Sequence, residues 1–85
     1  MYQIIWEKQA LRQLKKIRQI TERSMIFNAV LTLENWPDCQ NVKKLVNHQH
    51  DYRLRAGRFR IFFDVSEALN IVKIEEVKKR DEHTY

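Results

Sequence analysis

Residues 52–65 read YRLRAGRFRIFFDV, and their alternation decides the fold class. Tyr52, Leu54 and Ala56 alternate with Arg53 and Arg55, while Phe59, Ile61, Phe63 and Val65 alternate with Arg60, Phe62 and Asp64, the period-2 pattern of half-buried strands. Gly57 marks a turn between the two runs. A two-residue loop at Ala56–Gly57 would set Arg55 opposite Arg58, Arg53 opposite Arg60, Leu54 opposite Phe59 and Tyr52 opposite Ile61. That register gathers the arginines on one face and the apolar residues on the other, whereas a one-residue slip would mix them.

Downstream, Asn70 to Val77 reads as a further strand with Val72 and Ile74 buried, and residues 78–85 are polar and charged. Upstream, Val42 to Val46 either begins the first strand of the hairpin or forms its own. Before Pro37 the period changes to that of helices. Ile26, Ala29, Val30 and Leu33 form a stripe widened by Phe27 and Leu31, with Thr21 as cap, Glu22 complementing the positive helix end, and a stop around Glu34 to Trp36. Leu11, Leu14 and Ile17, with Ala10 and Ile20, form a second stripe, and Lys8, Arg12, Lys15 and Lys16 take its other faces. Tyr2, Ile4 and Trp6 alternate as a short strand. The expected fold is α+β: an N-terminal strand, then a helical hairpin packed on an antiparallel β-sheet. Leu11, Leu14, Ile17, Ile26, Val30 and Leu33 should meet Leu54, Ile61, Phe63, Val72 and Ile74 in the core.

Composition agrees with one domain over residues 1–85. The chain is 44% hydrophobic and 32% charged, with one glycine and one proline, which excludes a flexible linker or a collagen-like repeat. Cys39 has no internal disulfide partner, and Tyr2 to Trp6 is too short an apolar run for a signal sequence or a membrane span, so a cytoplasmic protein without membrane contact is expected. A net charge of +5 favours polyanionic partners.

Between Lys43 and Arg60 the chain carries Lys43, Lys44, Arg53, Arg55, Arg58 and Arg60 against the single acid Asp51. Like charges directly opposite each other weaken a sheet by about 0.2–1 kcal/mol per pair, so folding alone does not call for this face. Either the arginines are solvated or paired with Asp64, Glu75 and Glu76, or they form a site for a polyanion. Guanidinium forks bind phosphate oxygens bidentately, which makes phosphate the favoured ligand group. Phe62 shares the alternation of this face and either stacks on a base or is covered by a neighbouring strand or a partner protein. Trp6 and Trp36 belong with the core. His48, His50 and Asp51 lack a third and fourth metal ligand in the sequence and read as a loop, and Cys39 has no adjacent base; neither a metal nor a cofactor is expected.

With the order strand, helical hairpin, antiparallel sheet, with YRLRAGRFRIFFDV at its centre and IVKIEEVKKRDEHTY at its end, the sequence resembles the RelE/ParE superfamily of bacterial toxin–antitoxin toxins over nearly its whole length. RelE-like members are endoribonucleases that cut messenger RNA on the ribosome; ParE-like members share the fold and act on DNA gyrase. In the RelE-like pattern, basic residues follow the tyrosine of the second sheet strand, an arginine sits on the next, and an arginine and a tyrosine close the chain. The matching positions here are Arg53 and Arg55, Arg60, and Arg80 with Tyr85, with arginine in place of the more usual lysines at the first two. The resemblance implies a metal-independent endoribonuclease neutralised by a cognate antitoxin, with DNA gyrase as the alternative target. Arg53, Arg55 and Arg60 would hold the scissile phosphate, Tyr85 would act as base, and Arg80 would stabilise the leaving group. His83, titrating near neutrality, is the alternative proton donor, because a guanidinium is a poor acid. Lys43, Lys44, Arg58, Lys78 and Lys79 would extend the contact with RNA.

Overall fold

In the computed structural model, which describes residues 1–80, Arg55 stands opposite Arg60, and the loop of the central hairpin is Gly57–Arg58. Gly57 takes a positive φ of 57°, the backbone a tight hairpin asks of its first loop residue, and Ala56 stays in the strand, buried opposite Phe59. The pairing is thus displaced by two residues from the register expected of an Ala56–Gly57 loop: Arg53 lies opposite Phe62, Leu54 opposite Ile61, and Tyr52 opposite Phe63. An even displacement leaves each side chain on its expected face. It also moves Arg58 off the strands and into the turn.

Five strands and two helices build the fold in the order β1 (Gln3–Trp6), α1 (Lys8–Lys15), α2 (Ile20–Leu31), β2 (Val42–Lys44), β3 (Tyr52–Ala56), β4 (Phe59–Ser66) and β5 (Ile71–Lys79). The sheet runs β1-β5-β4-β3-β2. Four strands are antiparallel as expected, but β1 joins the edge parallel to β5, so the sheet is mixed. That placement sets Ile4 beside Val72 and Trp6 beside Ile74, continuing the apolar face across the edge. Val42–Lys44 is a strand of its own, paired with β3.

One face of this sheet receives the helices. Ala10 and Leu14 of α1, Ile26 and Val30 of α2, and Leu33 of the 3-10 turn Thr32–Asn35 pack with Leu54, Ala56, Phe59, Ile61, Phe63, Val72, Ile74 and Val77. Trp36 closes the end of this core edge-on to Tyr52 and Phe63, at ring centroid distances of 4.6 and 5.6 Å. Two expectations about the helices need correction. Leu11 is 38% exposed, because α1 turns only Ala10 and Leu14 fully inward, and Ile20, Phe27 and Leu31 likewise lie on the outer surface. Thr21 does not cap α2: the helix begins at Ile20 after Gln19, and the Arg23 guanidinium closes the turn between the helices by donating to the carbonyls of Ile17 and Arg18. Among the described residues no helix is long and apolar enough to cross a membrane.

A bulge breaks the pairing of β4 with β5. Phe62 faces Glu76 and Phe63 faces Ile74, which leaves Glu75 as the extra residue. The inward positions of β5 therefore step from Val72 and Ile74 to Val77, and both Glu75 and Glu76 serve the face opposite the helices.

Candidate functional site

The sheet face away from the helices divides in two. At the hairpin end, Arg53 and Arg55 of β3, Arg60 of β4 and Arg80 just beyond β5 line a concavity of about 60 Å³ together with Gly57 and Phe59. Strand pairing alone brings Arg55 against Arg60, and Arg80 is drawn in because its N–H donates to the Arg58 carbonyl at 2.7 Å, extending the pairing past the end of β5. Lys43 stands opposite Arg53 and Lys78 opposite Arg60, so both flank the arginines on the same face.

None of the acids among the described residues forms an ion pair with Arg53, Arg55, Arg60 or Arg80. Asp64 and Glu76, to which solvated arginines could have turned, are both engaged with His50 instead. Arg53 is the most constrained of the four. Its Nε is buried without a hydrogen-bond partner among the described residues, and its guanidinium is held below its ordinary pKa by burial first and then by the charges of Arg60, Arg55 and Arg80. A buried, unsatisfied donor inside a like-charged cluster costs the fold stability and creates a demand for an anionic acceptor. Several guanidiniums on rigid strands can meet a phosphate with little loss of side-chain freedom.

The other half of the face is covered by the loop 45–51. His48 lies flat on Phe62, with centroids 5.0 Å apart and rings within 9° of parallel, and Phe62 is only 8% exposed. A base cannot stack there while the loop is in place; the cover over Phe62 is this loop rather than a neighbouring strand. His50 reaches beneath the loop to Asp64 and Glu76.

The arginines expected to act together do converge, and three of the expected flanking cations do not join them. Arg58, in the turn, pairs with Glu22 of α2 at 2.7 Å, and this contact holds the Glu22 carboxyl below its usual pKa. Lys44 stands opposite Tyr52, and Lys79 opposite Phe59, so the pleat turns both toward the helix side. Lys78 lies within 3.6 Å of Glu76 and near the Phe62 ring. Tyr85 and His83 lie outside the described residues. Gly57, which the sequence offered only as a turn, also lines the concavity.

No protein-family model matches this chain, and no curated protein matches it significantly. Solved structures do match in fold. The chain superposes on the isolated RelE toxin of E. coli with a TM-score of 0.81 at 17% identity, covering 99% of this chain and 89% of that one. The archaeal RelE of a RelE–RelB complex from Pyrococcus horikoshii OT3 matches with a TM-score of 0.79 at 24% identity, over 95% and 97% of the two chains. A toxin–antitoxin complex, RelBE2 of Mycobacterium tuberculosis, matches with a TM-score of 0.77 at 17% identity, over 93% and 98%. The chain has the RelE fold.

Proposed function

We propose that this chain is the toxin of a toxin–antitoxin pair and acts as an endoribonuclease on messenger RNA during translation. The observation that carries this reading is the concavity of Arg53, Arg55, Arg60 and Arg80, in which a buried guanidinium nitrogen has no acceptor among the described residues. Solved structures of the same fold include an archaeal RelE in complex with RelB and the toxin–antitoxin complex RelBE2, which supports an antitoxin partner.

Cleavage of RNA through its own ribose requires a deprotonated 2′-hydroxyl, stabilisation of the charge that develops on the phosphorus oxygens, and a proton for the departing 5′-oxygen. In this reading Arg53 and Arg60 hold the non-bridging oxygens and Arg55 flanks them. Arg80 faces the leaving side. Tyr85 serves as base, and His83 is the alternative proton donor to Arg80; both lie outside the described residues. Lys43 and Lys78, on the same face, contact the flanking backbone of the message.

The proposed antitoxin neutralises this surface by laying an amphipathic or extended segment on the domain, with Asp or Glu placed against Arg53 or Arg60. Primer extension on a translated message after brief induction, run beside a gyrase supercoiling assay, tests the function. New cleavage ends within the translated region support it. Intact message with impaired supercoiling would overturn it in favour of a gyrase-directed toxin.

A further inference from the structure

The buried half of the open sheet face holds a second cluster that RNA cleavage does not use. His50 is 8% exposed and sits between carboxylates of β4 and β5: Nδ1 is 3.3 Å from Asp64 Oδ2, and Nε2 is 3.2 Å from Glu76 Oε2. Glu75, brought to this face by the bulge, completes a group with His50 and Asp64 whose ligand atoms all lie within 4.8 Å of one another.

The remaining hydrogen bonds sort these groups into two roles. Glu76 is supplied with donors, because its Oε1 accepts from the Gln9 amide at 3.3 Å and lies 3.6 Å from the Lys78 ammonium. It is therefore suited to accept a hydrogen bond from His50 Nε2–H. Asp64 Oδ1 accepts the Asp51 backbone N–H at 2.8 Å, which leaves Oδ2 pointing at the ring. With Nε2 carrying its proton, Nδ1 presents a lone pair to Asp64 Oδ2, and a Glu75 carboxylate oxygen lies within 4.8 Å of ligand atoms of both His50 and Asp64. An imidazole nitrogen and two carboxylates are thus gathered in one small volume. Protonating His50 at both nitrogens would relieve the ring but would still leave the Asp64 and Glu75 carboxylates against each other.

The geometry points to a divalent-cation site formed by His50 Nδ1, Asp64 and Glu75, with Glu76 as the outer carboxylate that orients the imidazole. Two ligand atoms, each about 2.0–2.1 Å from a tetrahedral ion, stand about 3.3–3.4 Å apart, and Nδ1 and Asp64 Oδ2 already have that spacing. A carboxylate on the far ring nitrogen is the usual support of a metal-bound histidine. An imidazole among two carboxylates suits a borderline ion such as Zn²⁺ better than Mg²⁺, which prefers oxygen and water. The ligands come from the loop 45–51, β4 and β5, so the ion ties the loop to the sheet and keeps His48 on Phe62. The site is separate from the arginine concavity and has a structural role.

Zinc chloride titrated by calorimetry into the chelator-treated full chain at neutral pH tests this, with magnesium chloride titrated separately. One zinc per chain should bind, at least tenfold more tightly than magnesium. Glu75→Gln and Asp64→Asn should weaken zinc at least tenfold, Glu76→Gln about 10–100-fold as an outer partner does, and His48→Ala should leave it unchanged. Circular dichroism confirms that each variant folds; should Asp64→Asn fail because it also perturbs the Asp51 contact, Glu75→Gln decides alone. A wild-type chain that takes no zinc, or a folded Glu75→Gln that binds it as tightly as wild type, would overturn the site.

Discussion

Replacing Arg53 by methionine should make the fold more stable while removing an anion ligand from the concavity. Methionine keeps an unbranched stem of similar reach in the sheet and deletes the guanidinium. The deletion removes a buried Nε without a partner among the described residues, a term of about 1–3 kcal/mol. It also relieves the facing pair Arg53 and Lys43, a further ~0.2–1 kcal/mol, and the repulsion from Arg60, Arg55 and Arg80 that depresses the Arg53 pKa. Even the lower end of this range, about 1 kcal/mol, corresponds to a rise of about 4–8 °C in the unfolding midpoint of a domain of this size. Thermal unfolding by circular dichroism, in low-salt buffer and again with inorganic phosphate, measures it. Phosphate should raise the wild-type midpoint and so narrow the gap to the variant, because an anion supplies the acceptor that Arg53 lacks. A variant that is less stable than wild type in low salt, or a phosphate response equal in both proteins, would refute the view of Arg53 as an unsatisfied anion ligand.

Other substitutions probe the remaining claims. Ile61 is fully buried between helices and sheet, so Ile61→Ala should cost about 2–5 kcal/mol by urea denaturation, whereas Leu11→Ala, at an exposed position of α1, should stay within about 0.5 kcal/mol. Gly57→Ala should cost about 1–2 kcal/mol for its left-handed backbone, with a further penalty because a Cβ there would lie 2.8 Å from the Met25 methyl, which must move. Arg58 lowers the folded-state pKa of Glu22 below its ordinary 4.5, so this ion pair contributes stability above that pH and loses it as pH falls through the lowered value. Glu22→Gln should accordingly destabilise the protein at neutral pH and make no difference once wild-type Glu22 is protonated, as a pH series of unfolding midpoints would show.

The core and the arginine face were legible because both rest on periodicity. Alternation in residues 52–65 assigned Leu54, Ile61 and Phe63 to the helix side and Arg53, Arg55 and Arg60 to the other, and this survived a displaced register because the displacement was even. The loop itself was misplaced because glycine was given the second loop position, whereas its positive φ is needed at the first. That error alone put Arg58 on the wrong side. The bulge could have been read from the spacing of Val72, Ile74 and Val77, which breaks the period by one residue, but a strand ending at Val77 conceals it. What no local pattern carries is the return of the loop 45–51 over Phe62, which buries His50 beside carboxylates far from it in sequence. The parallel pairing of β1 is non-local in the same way: its apolar alternation fixes which side faces the helices and leaves the neighbouring strand open.

The most direct test of the arginine concavity as a phosphate site for RNA cleavage is primer extension on a translated reporter message, comparing wild type with Arg60→Ala/Arg80→Ala at matched expression. Removing one preorganised donor from an oxyanion site costs about 10²–10³ in rate, and the two losses need not add. The double variant should therefore leave the message intact and growth unimpaired while still folding. Undiminished cleavage by a folded double variant would contradict the account.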